Sequence, residues 1–275
     1  MNEIELAGMY DLHIHSAPDL IARCIDDIEA ARQAAEARMA GILLKSHYTF
    51  TCDRAQIAEK IVPNIKIYGA LTLNESVGGL NIAAVETALR LGTTEIFMPT
   101  ISAANHLRGE KRQGGISILD EQSNLAPLLK EILALVNDYK AILGTGHLSG
   151  DEIKVLVKTA KKQGLRKIVI THPELPLVNL SLDEQYHLSG NGVYFERCYA
   201  STFPLSGNVP LEQIARDIKE IGASSTLLTT DFGRADYPLP VKGLQTFVAN
   251  LKKLGIEEKE IELMTKENPR RLLEG

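Results

Sequence analysis

The chain has 275 residues, 44% of them hydrophobic and 24% charged, with a formal net charge of −5. That length allows one large core or two modest ones, and the slight acidity excludes a general electrostatic pull toward nucleic acid or anionic lipid. No apolar run approaches the roughly 20 residues that span a bilayer, and Cys24, Cys52 and Cys198 are too scattered for a disulfide framework or a cysteine-based zinc knuckle.

The MNEIELAG start is acidic and lacks the basic opening and apolar core of a secretory signal, so a cytoplasmic protein is expected. No low-complexity or Pro/Ser-rich linker divides the chain, and residues 1–275 are read as a single domain. In chain order, short apolar, β-branched runs alternate with amphipathic helical stretches. MYDLHIH precedes DDIEAARQAAEARMA, GILLKSH precedes RAQIAEKIV, and IKIYGALTL precedes LNIAAVETALRLG. EIFMPTI is followed, after a long segment, by LAPLLKEILALVNDY; KAILGTGH precedes GDEIKVLVKTAKKQG and KIVITH precedes SLDEQYHLSG. GVYFERCY precedes PLEQIARDIKEIG, and STLLTTDF precedes VKGLQTFVANLKKLG.

Alternation of this kind is the signature of βα units and a parallel sheet. Eight strands, each followed by a helix, in about 250 residues predict a (β/α)8 TIM barrel. A doubly wound sheet would place a Gly-rich phosphate turn after the first strand, and none is present. The segment SAANHLRGEKRQGGISILDEQSNL shows no clear helix until its end, and GGISILDEQSNL predicts a small β-hairpin inserted after strand 4.

In a barrel of this type the chemistry sits at the carboxyl ends of the strands. Those ends carry His13 and His15, Lys45 and His47, Asn74 and Glu75, His147, His172, Glu196 and Cys198, and Asp231. Side chains two apart on a strand share a face, so His13 and His15 project together, with Asp11 expected below them in the same row. Five of the seven histidines fall at strand ends. Neutral imidazole and carboxylate are good ligands for zinc, iron, manganese or nickel, and one barrel mouth gathering them would hold one or two divalent metal ions.

DLHIH on the first strand, GTGH on the fifth, ITHP on the sixth and TTDFG on the eighth together resemble the amidohydrolase superfamily of metal-dependent hydrolases, and ENPRRLL resembles the closing helix of several of its branches. The resemblance implies that His13, His15 and Asp231 bind a first metal and that His147 and His172 bind a second. In one-metal members the sixth-strand histidine faces the substrate, so His172 also takes a catalytic role as a polarising or proton-shuttling group. Asp231 would take the proton of the attacking water and later deliver it to the leaving group. Zinc is the first expectation, with manganese, iron and nickel open.

One departure stands out. Many two-metal members carry a bridging carboxylated Lys or Glu on the fourth strand, where this chain has Met98, Pro99 and Thr100. Lys45 is the first substitute, as a carboxylated metal ligand or as an ammonium gripping an anionic substrate, with a structural salt bridge as the remaining reading. Glu196 is the second substitute. His47 shares a face with Lys45 and is expected to add a ligand, to touch substrate or to orient another group; Cys198 is expected to pack.

Arg23, Arg54, Arg197 and Arg234 lie just past strand ends, where a guanidinium could take a carboxylate or phosphate. Of these, Arg197 and Arg234, with His47 and Glu196, are the expected substrate contacts. His106, Arg108, Lys111 and Arg112 add positive potential in the long segment, and His187 is read as a surface residue. The expected activity is hydrolysis of an amide, cyclic amide or ester bond of a small molecule, with an anionic one open. Alternatives are decarboxylation or phosphoester hydrolysis on the same kind of barrel, since DLHIHS also resembles the polymerase-and-histidinol-phosphatase family, or a non-catalytic binding protein. The expected partner is a small-molecule substrate, with neither nucleic acid nor membrane and with homo-oligomer formation open.

Overall fold

The computed structural model describes residues 4–275; Met1–Glu3, the first part of the acidic start, lie outside the described residues. Eight parallel strands pair in sequence order: β1 (Tyr10–His15), β2 (Gly41–Lys45), β3 (Lys66–Thr72), β4 (Glu95–Phe97), β5 (Ile142–Gly144), β6 (Ile168–Thr171), β7 (Val193–Cys198) and β8 (Thr226–Thr229). Around them lie α1 (Asp27–Glu36), α2 (Cys52–Ile61), α3 (Ile82–Arg90), α4 (Ala104–Gly109), α5 (Pro127–Asp138) and α6 (Gly150–Lys162). The ring continues with α7 (Leu182–Leu188), α8 (Leu211–Ile221), α9 (Pro240–Lys253), α10 (Glu258–Glu262) and α11 (Asn268–Glu274). Among the described residues no helix is long and apolar enough to cross a membrane.

β1 and β8 close the ring by an Ile14–Phe232 bridge, with the His15 amide donating to the Phe232 carbonyl and the Asp231 amide to that of His13. Asp11 completes the seam, accepting from the Thr230 amide at 3.0 Å and the Thr230 hydroxyl at 2.6 Å. This corrects the expected row of Asp11, His13 and His15. One extra residue in β1 between Asp11 and Ile14 shifts its register against β2, and such a bulge inverts the alternation of side chains. Tyr10 and Leu12 therefore join the small cluster of Leu43, Ala70 and Phe97 inside the barrel, while Ile14 joins the larger core beneath the helices.

The two large cores lie between strands and helices, where alternate strand residues such as Ile42 and Leu44, or Ile168 and Ile170, meet helix faces carrying Ala30, Ala34, Leu156 and Ala160. Each fully buried aliphatic side chain there contributes about 1.5–3 kcal/mol relative to exposure. The ENPRRLL segment closes the far end: Asn268 donates to the Ala223 and Thr226 carbonyls, and Leu272 and Leu273 pack on the barrel interior. The site consequently opens only at the carboxyl mouth.

The segment after β4 departs from expectation. It forms the six-residue α4, which the turn-rich composition concealed, and GGISILDEQSNL makes no two-stranded hairpin. A single antiparallel bridge, Leu119 to Leu125, closes a turn instead, and Ile116 pairs with the backbone of Ser102 and Ala104.

Candidate metal centre and cavity

The carboxyl ends of the strands surround a cavity of about 720 Å³, lined by His15, Lys45, His47, His147, His172 and Asp231 with Arg23, His106, Glu110 and Arg234. Nε2 of His13 and Nε2 of His15 lie 3.1 and 3.2 Å from Oδ1 of Asp231, and these three donors can hold one ion. Three strained or tightly packed positions aim the ends. Asp231 has φ of 53° and His172 of 34°, left-handed values that cost a residue with a Cβ about 1–3 kcal/mol and gather at functional sites. Gly233, at φ of 139°, lets the chain after Asp231 pass β1, since a Cβ there would sit 1.7 Å from the His15 carbonyl oxygen.

His13 is fully buried, and its Nδ1 lies 3.1 Å from Oε1 of Glu196. This contact directs Nδ1 of His13 to Glu196 and leaves Nε2 as the nitrogen that faces Asp231. The expected substrate contact by Glu196 is thus corrected: it is 2% exposed and does not line the cavity, because the inward face of β7 places it beneath the mouth. Arg197 is corrected as well. Its neighbours Glu196 and Cys198 face inward, so by alternation Arg197 faces outward, fully buried and ion-paired with Glu174. Arg234 does line the cavity, where Asp236 holds its guanidinium at 3.0 Å.

Lys45, 1% exposed, puts Nζ 2.9 Å from His13 Nε2 and 4.3 Å from the centre of the Phe97 ring. Burial pulls its pKa down, against the pull of Asp231 and Glu196. Burial also lowers His15 to about 3 and His172 to about 4, despite Asp231. For His13 burial is outweighed by Asp231 and Glu196, and the ring is raised to about 9. Burial would raise Asp231, but His13 and His15 hold it well below the usual carboxylate range. The aspartate is therefore an anion facing two imidazoles, as a cation site or a proton acceptor requires.

Beneath this layer lies Glu95, which the sequence reading passed over. It stands on the inward face of β4 two residues before Phe97, 2% exposed, and burial followed by the charge of Glu196 pushes its pKa well above the carboxylate range. Thr100 takes the place of the absent strand-4 ligand: its hydroxyl meets His47 Nδ1 at 2.8 Å and accepts from Asn74 Nδ2 at 2.7 Å. His147 and His172, with ring centres 5.0 Å apart, belong to neither of the two donor clusters among the described residues; the second cluster is His13, Glu196 and Cys198. Arg54 serves structure, pairing with Asp27 at 2.8 Å, and Arg108, Lys111, Arg112 and His187 are exposed.

Solved structures of amidohydrolase-superfamily members share the eight-stranded barrel fold. An amidohydrolase from Pseudomonas aeruginosa is 12% identical with a TM-score of 0.69, over 97% of this chain and 95% of that one. The phosphotriesterase homology protein from Escherichia coli, with phosphate in its active site, is 12% identical with a TM-score of 0.62, over 98% and 99%. A 2,6-dihydroxybenzoate decarboxylase from Rhizobium is 14% identical with a TM-score of 0.55, over 97% and 98%. No curated protein matches the sequence. Residues 8–196 match the family of unknown function DUF6282, and the chain belongs to that family.

Proposed function

We propose that this chain is a metal-dependent hydrolase that opens an amide, cyclic amide or ester bond of a small anionic molecule with water. The convergence of His13 Nε2, His15 Nε2 and Asp231 Oδ1, with His15 and Asp231 on the cavity wall, carries this reading. Two imidazole nitrogens and a carboxylate oxygen are a fitting donor set for one divalent ion, zinc first, with manganese, iron or nickel compatible. When bound, such an ion supplies Lewis acidity and lowers the pKa of water toward neutrality.

The side chains divide the remaining work. Asp231, held ionised, takes the proton of the attacking water at a carboxylate oxygen and returns it to the leaving group. His172 is neutral and its Nδ1 has no partner, so the ring is free to polarise the substrate or pass a proton. Lys45 in its neutral form can be carboxylated and lend an oxygen to the ion, replacing the ligand missing from the fourth strand; as an ammonium it grips a substrate anion instead. Arg234 and His47, both on the cavity wall, supply the polar contacts that hold a carboxylate.

Metal-replete protein assayed against amides, lactones and esters that bear a carboxylate is expected to hydrolyse at least one class, with loss in Asp231→Asn. Absence of hydrolysis throughout the panel at full metal occupancy counts against the reading. Decarboxylation of an aromatic or unsaturated acid is the second reading, favoured by the separation of His147 and His172 from the donor cluster, which supports a one-ion site. Carbon dioxide release without hydrolysis would select it.

A further inference from the structure

We infer that Glu110 and His106 are positioning residues that fix the tautomer of His147, placing its proton on Nδ1 and leaving Nε2 as its lone-pair nitrogen. The inference deepens the proposed function by stating what His147 offers a ligand, and its test does not depend on catalysis.

Two anchors set α4 against the barrel mouth. The Ile116 amide donates to the Ser102 carbonyl at 2.7 Å and the Ala104 amide to that of Ile116 at 2.9 Å, clamping the start of the helix. Asn105 Nδ2 donates to the carbonyls of His147 and Leu177, at 3.1 and 2.9 Å, tying the helix to the loops after β5 and β6. The next residue, His106, is thereby laid on His147, with ring centres 4.8 Å apart and the two Nδ1 atoms separated by 2.8 Å.

At that separation one nitrogen donates and the other accepts, and neither ring alone decides which. Glu110 decides. Its Oε1 lies 3.4 Å from His106 Nε2, and its Oε2 is held by Arg112 Nη1 at 2.9 Å. An ionised carboxylate offers no proton, so His106 carries its hydrogen on Nε2 and presents a lone pair at Nδ1. His147 must then donate from Nδ1. Its Nε2 is left to accept a hydrogen bond from a substrate N–H or O–H, or to bind a cation, while Nδ1 is already engaged.

Imidazole ¹⁵N spectra of the full chain labelled at histidine, recorded near pH 8 where both rings are neutral, read the tautomers directly. The expected result is an Nδ1–H tautomer for His147, kept in Glu110→Gln, whose amide oxygen can still accept, and shifted toward Nε2–H in Glu110→Ala and His106→Ala. Glu110 is exposed on the rim, so its substitution keeps the test open if removal of His106 disturbs the fold. An Nε2–H tautomer in the unaltered chain overturns the inference, as does a tautomer unchanged in both alanine variants. Zinc moving both Nδ1 resonances together also overturns it, because the rings would then share an ion.

Discussion

Glu196 Oε1 sits 3.1 Å from His13 Nδ1, on the opposite ring nitrogen from the one that meets Asp231. A carboxylate behind a ligating histidine fixes its tautomer and orientation and raises its basicity. Glu196→Ala is expected to weaken metal binding about 10–100-fold, measured by competition with a chelator, while Asp231 and His15 stay in place. An unchanged affinity would show that His13 needs no such support.

Asp231 is the acceptor that both imidazoles face, and it lines the cavity. Asp231→Asn keeps the shape of the group and removes its charge, so turnover should fall about 10²–10⁴-fold while the fold persists. A turnover number within threefold of the unaltered chain would remove Asp231 from the chemistry.

Arg197 and Glu174 form a pair with neither side chain exposed, and Arg197 Nε and Nη2 and Glu174 Oε2 have no hydrogen-bond partner in the structure. Removing one partner strands the other charge in the interior. Arg197→Met is expected to cost about 3–5 kcal/mol by denaturant unfolding, and the double variant with Glu174→Met to recover most of it. Equal losses in single and double variants would mean that the pair is not what holds this part of β7.

Burial keeps the folded His172 near 4, against 6.5 for an unperturbed imidazole. Between those values the unfolded chain binds a proton that the folded chain refuses, so stability falls as pH drops through that window. The full difference corresponds to about 3 kcal/mol. His15, held near 3, adds to the same acid loss. His13, raised to about 9, acts elsewhere: its contribution is present below 6.5 and lost as pH rises toward 9. His172→Phe should flatten the dependence between pH 4 and 6.5 in denaturant titrations, and an unaltered slope would contradict the assignment.

Strand ends were legible because they depend on local pattern. The eight apolar runs, the helices between them, and the gathering of His15, His47, His147, His172 and Asp231 at one mouth follow from periodicity and the barrel rule. Parity within a strand was only partly legible. Arg197 could have been excluded from the cavity, since Glu196 and Cys198 already claimed the inward face of β7, whereas the bulge that turns Asp11 to the seam leaves no mark in YDLHIHS. Glu95 was hidden because EIF is too short to reveal alternation. His106 was visible as a charge and not as a partner of His147, because that contact depends on α4, a six-residue helix in a segment rich in Gly and Arg.

The most direct measurement is a crystal structure of the metal-replete protein with anomalous scattering to locate the ion. One ion is expected about 2.0–2.2 Å from His13 Nε2, His15 Nε2 and an Asp231 carboxylate oxygen. An ion held elsewhere, or full metal loading with those three groups unligated, would contradict the account.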